Sequence, residues 1–253
     1  MKLSRFAVVI YPLIIWLLAQ AYLFWPNFLY LAVVISVLLT LALTFYLKRP
    51  ERNTPWWLLV ILPILFLLSI TTYISLQASY LLNQALLLVL IIFLFSYFKN
   101  LYYFWHRPDL FKEEDLLIIK AYASFLTIFF LAADLYGLQS LLGMTVWPMF
   151  IIFVILVLII YFLNLDLAEI DPKISRQFAI INTVFLAEMA LVLVFLPLSY
   201  NVAALSLGIV YYLMINLSRL YLQKALSSKK IKLYIIISYA GLALLLLTAR
   251  WLN

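Results

Sequence analysis

The chain contains no cysteine. That excludes disulfides, thiolate nucleophiles and Cys-ligated metal sites. It contains one histidine, His106, set in the aromatic run Tyr102-Tyr103-Phe104-Trp105. The serine–histidine and glutamate–histidine pairs of intramembrane proteases cannot be assembled from one such histidine, which reads instead as an interfacial anchor. Glycine occurs four times, at 137, 143, 208 and 241. No pair has GxxxG spacing, and no glycine-rich phosphate loop exists. Charge is the largest deficit. Only 11% of residues are charged, against about a quarter in soluble domains.

What fills the chain is apolar. Of 253 residues, 68% are hydrophobic, and the mean hydropathy is +1.16. The apolar residues fall in blocks of about 20, the length that crosses about 30 Å of hydrocarbon as a helix. A transmembrane β-barrel would instead show alternating segments of about 10 residues. The fold class expected is all-α: a polytopic integral membrane helix bundle forming one transmembrane domain over 1–253. Nine spans are expected, at about 6–25, 28–47, 56–76, 80–98, 116–136, 146–165, 177–197, 202–222 and 233–250. The first has a basic start but no small-residue cleavage site, so it reads as a retained helix.

The connections alternate in charge. Those after spans 1, 3, 5 and 7 carry none. Sixteen of the seventeen basic residues lie on the opposite side, leaving only Arg250. By the positive-inside rule the N-terminus is cytoplasmic and the C-terminus outside. The net charge of +7 is therefore a topology signal with some attraction to anionic lipid. Nucleic acid is not expected as a partner, because no soluble domain presents a clustered basic face.

The longest polar interruption is Lys99–Asp115, KNLYYFWHRPDLFKEED, with four of the ten acidic residues. Asp109 reads as the N-cap of span 5. Glu113, Glu114 and Asp115 then complement the positive end of its dipole. As the largest cytoplasmic connection, this stretch is the candidate partner-docking surface, through His106, Arg107, Glu113 and Glu114. Asp171-Pro172 repeats the N-cap logic before span 7.

Two acids fall inside spans. Glu188, in FLAEMALV, sits near the centre of span 7. A carboxyl there costs a few kcal/mol on insertion scales, of order 3, and is expected to face the bundle interior. It is either a contact for an ion, proton or substrate, or a hydrogen-bonded pin between helices. Asp134 lies near the outer end of span 5, within reach of the interface. Together they form the candidate intramembrane polar site. No residue reads as catalytic, and no cofactor is expected.

Asp166, Glu169 and Asp171, in LDLAEIDP after span 6, form the one acidic cluster that could hold a magnesium–diphosphate. Nine spans with cytoplasmic acidic loops resemble the membrane-embedded prenyltransferases that attach isoprenoids to aromatic rings. That family carries Asp-rich motifs after spans 2 and 6. Here the loop after span 2 reads LKRPERNTP, with one Glu and no Asp, and the second motif is partial.

Three functions are consistent with this chain: a non-enzymatic scaffold or accessory subunit of a membrane complex; a carrier or flippase for a lipid-like substrate, using Glu188; or a membrane-embedded lipid or isoprenoid transferase. The sparse polar residues within spans and the very short loops favour the first. The expected surroundings are the lipid bilayer of a plasma or inner membrane, with other membrane subunits as partners.

Overall fold

A computed structural model describes residues 2–48, 56–165 and 171–249, of which the side chains of Lys2, Leu3 and Ser4 are left aside. Among the described residues there are nine α-helices and no strand: α1 (Lys2–Phe24), α2 (Leu29–Leu47), α3 (Trp56–Leu76), α4 (Tyr80–His106), α5 (Glu113–Leu142), α6 (Val146–Leu165), α7 (Pro172–Val194), α8 (Tyr200–Leu222) and α9 (Ser228–Thr248). Each of the nine is long and apolar enough to cross a membrane. This is the architecture of a multi-pass membrane protein. Span limits read from polarity match α3 and α6 at both ends.

The stretch around His106 differs from expectation. α4 does not stop near residue 98 but runs on to His106. Phe98, Leu101, Tyr102 and Trp105 are buried at helical spacing, and His106 stacks on Tyr102 one turn earlier, with centroids 4.9 Å apart. Packing therefore carries the helix past the point where polarity suggests an end. Pro108 stops it, since the residue before a proline is driven out of the helical region; Arg107 has φ −143° and ψ 68°. The connection is a turn closed by Leu110 N–H to Arg107 C=O at 3.0 Å. Asp109 sits in that turn and is not the N-cap of α5, which begins at Glu113. The three acids Glu113, Glu114 and Asp115 do occupy the first turn of α5.

The helices group into two compact units, residues 1–123 and 124–253, with the division inside α5. In the first unit, α1 packs on α2 and α4, α2 on α3, and α3 on α4. Polar side chains pin these helices together. Thr40 donates to the Ser36 carbonyl at 2.7 Å. Its hydroxyl has a single proton, so the 2.6 Å contact with Tyr11 is a donation from the Tyr11 hydroxyl. Gln20 and Gln84 pair amide to amide between α1 and α4, at 2.6 and 3.1 Å.

Both interior prolines, Pro12 and Pro63, are in this unit. Pro63 has no N–H, which leaves the Leu59 carbonyl without its helical donor. The Tyr97 hydroxyl of α4 donates to that carbonyl at 2.6 Å.

In the second unit, α6 packs on α7, α7 on α8, α8 on α9, and α6 on α8. Tyr136 of α5 donates to the Ala190 carbonyl of α7 at 2.9 Å, and Asn182 of α7 donates to Ser218 of α8 at 2.8 Å. Helix α9 stands at the edge, with only Ser238 buried. Gly208 of α8 lies under Phe125 of α5; a Cβ there would meet the ring at 3.2 Å.

Candidate functional site

The two acids that fall inside the apolar spans are placed on different kinds of surface. Asp134 is 7% exposed, surrounded along α5 by Ala132, Ala133, Leu135 and Tyr136, all buried. One oxygen of its carboxyl, Oδ1, is buried without a hydrogen-bond partner. The neighbouring residues at 132, 133 and 137 are small, and Asp134 is enclosed by the protein.

Glu188 is the reverse. It is exposed on α7, not turned into the bundle. The buried positions of α7 are Ser175, Ala179, Asn182, Thr183, Leu186, Ala190 and Leu193, the small and polar face that packs tightly between helices in a membrane. Glu188 lies on the opposite side with Ile181, Val184 and Val192, which are 61, 52 and 55% exposed. Asp134 and Glu188 therefore do not combine into one interior site.

The second unit holds a polar cluster that sequence reading missed. Arg219, near the end of α8, turns onto the last turn of α6. Its Nη2 donates to Asn164 Oδ1 at 2.8 Å and its Nε to the Asn164 carbonyl at 3.3 Å. Asn164 in turn donates through Nδ2 to Ser124 Oγ at 2.7 Å and to the Ile160 carbonyl at 2.8 Å. Ser175 donates to the Leu165 carbonyl at 2.9 Å. The carbonyls that a helix end leaves without partners are thus met by α7 and α8, one of them by a cation suited to the negative end of the dipole. An Asn in the last turn of one span and an Arg in the last turn of another were the available signals. Beside the cluster, the rings of Tyr161 and Tyr211 lie 5.0 Å apart, both buried.

The other expected residues scatter. His106 is half-buried against Tyr102, whereas Arg107, Glu113 and Glu114 are exposed. Asp171 caps α7, accepting from the Lys173 N–H at 2.9 Å, with Pro172 at the first helical position. Asp166 and Glu169 lie outside the described residues. Among the described residues no three His, Asp or Glu side chains converge. In the first unit, Ile15, Ala19, Tyr22, Ser36, Leu67 and Thr71 are among the residues lining a narrow, partly open cleft.

Comparison with protein-family models, curated proteins and solved structures found no match.

Proposed function

We propose that the chain is a non-catalytic subunit of a multi-protein membrane complex. The observation that supports this most is the outward exposure of Glu188 on an otherwise apolar helix face. Ionisable side chains within membrane spans almost always face a protein interior or an aqueous cavity, because lipid offers no partner. A carboxyl on the outer surface of one chain is placed where a larger assembly has its interior. The position counts against a carrier that uses Glu188 as its central contact, since the side chain is turned away from its own bundle. The transferase reading would need Asp166, Glu169 and Asp171 to converge, and Asp171 is occupied as a helix cap.

In this reading the charged connections, including the exposed Arg107, Glu113 and Glu114, face the cytoplasm of a cell with the chain in its plasma or inner membrane. The test is extraction in mild detergent followed by native mass measurement. A stoichiometric second polypeptide is expected. A lone monodisperse chain of 29.5 kDa would end the proposal.

A further inference from the structure

Resting on that reading, we propose that the exposed seam of α7 seats one transmembrane helix of a different polypeptide, and that this helix carries a lysine or arginine at the depth of Glu188.

The seam has the spacing of a helix-packing surface. Ile174, Gln177, Ile181, Val184 and Glu188 are all exposed, at intervals of 3, 4, 3 and 4 residues; Leu191 is half-buried, and Phe195, at the C-cap of α7, is again exposed. That is a repeat of seven with two positions per repeat, the pattern that keeps one face against a partner crossing at about 20°. Apolar spacing alone would serve lipid equally well. Two polar side chains on the same seam do not. Gln177 and Glu188 stand eleven residues apart, about 16 Å along the helix, and Glu188 is twelve residues, about 18 Å, beyond Arg176, the last basic residue of α7. From the other end of α7, at Val194, it is six residues, about 9 Å, so it lies within the apolar span and at neither end of the helix. A polar residue within an apolar seam is also a feature that sets register between paired helices.

Charge selects the occupant. A second copy of this chain would bring a second Glu188 to the first, and its own cations are elsewhere. Counted along its helix, Lys99 is seven residues from the end of α4, Lys120 seven from the start of α5 and Arg219 three from the end of α8, whereas Glu188 is sixteen from the start of α7. No cation of the described residues matches its depth. A carboxylate in a low-dielectric seam is best met by a lysine ammonium or an arginine fork, as a charge-assisted hydrogen bond.

The chain has no native cysteine to interfere, so a photo-crosslinking residue can be installed and labelled cleanly at Ile181, at Val184 and, as a lipid-facing control, at Ile236 of α9. In membranes of the producing cell, Ile181 and Val184 should yield one adduct with a different polypeptide, whose linked segment is a membrane span containing Lys or Arg. Ile236 should not. Glu188→Leu should reduce the adduct at least tenfold, and Glu188→Gln should also reduce it, in protein whose thermal unfolding and expression are unchanged. An adduct of twice the chain's own mass, a linked span without a basic residue, an adduct indifferent to both substitutions, or lipid adducts alone would each overturn the assignment. If α7 yields no protein adduct while a stoichiometric complex still purifies, the seam is wrong and the subunit reading stands. If wild-type protein purifies alone, the subunit reading itself falls.

Discussion

The Tyr97 hydroxyl stands 2.6 Å from the Leu59 carbonyl, the acceptor that Pro63 deprives of its helical N–H. A proline inside an apolar helix is tolerated where other groups replace the missing donor, a neighbouring helix among them. Tyr97→Phe keeps the ring packing against Phe93 and Phe98 and removes only that donor. It should cost about 1–3 kcal/mol, the penalty of a buried unsatisfied acceptor. In a Pro63→Ala background the same change should cost less than half as much, because the helix supplies its own N–H. Tryptophan-fluorescence unfolding in detergent reads both. Equal cost in the two backgrounds would sever the link.

Arg219 and Asn164 act as one clamp at the end of α6. Arg219→Ala should lower stability by about 2 kcal/mol, in the range for hydrogen bonds to charged groups. Arg219→Lys should restore only part of this, since an ammonium cannot reproduce the two-point grip. The double variant Arg219→Ala/Asn164→Ala should cost clearly less than the sum of the singles. Full additivity would show that the two side chains stabilise the fold separately.

Gly208 and Gly241 should respond differently to alanine. A Cβ at Gly208 meets Phe125 at 3.2 Å, whereas at Gly241 its nearest neighbour, Ile209, is 3.6 Å away. Gly241→Ala should be neutral or stabilising by up to about 1 kcal/mol from helix propensity. Gly208→Ala should destabilise by about 1 kcal/mol from overpacking, and Phe125→Leu should relieve it. Equal unfolding temperatures for the two alanine variants would count against the packing of α5 on α8.

Asp134 and Glu188 should separate in stability measurements on the purified chain. Asp134→Asn removes the acid from a buried position where one oxygen has no partner. It should raise the unfolding temperature, since an uncompensated buried carboxyl costs several kcal/mol, of order 3. Glu188→Leu should change little in detergent, because the side chain is exposed. If Glu188→Leu unfolds the isolated chain, Glu188 is bound within it, and the outward seam on α7 is not a docking face.

The class of protein was legible from residue chemistry, because hydrocarbon thickness dictates a run length that few other constraints imitate. Span limits followed wherever polarity changed sharply, as at Trp56 and Leu165. They failed at Lys99–His106, where Leu101, Tyr102 and Trp105 pack and outweigh the polar residues between them. The stretch that looked like the largest connection is mostly helix, and the free part is Arg107 to Lys112.

The sequence by itself determined the nine apolar helices found among the described residues and the cap of α7 at Asp171, since length, polarity and capping are local. It did not determine which face of each helix turns inward. In a soluble protein water marks the outer face, but in lipid both faces are apolar and the pattern loses its contrast. The remaining signal on α7 was weak: Ser175, Ala179, Asn182 and Ala190 on one side, Gln177 and Glu188 on the other. Only tertiary packing decided that Asp134 is enclosed, that Glu188 faces outward, and that Tyr97 and Arg219 serve backbone carbonyls of helices distant in sequence. Those pairings depend on three-dimensional neighbours, which no local run of residues encodes.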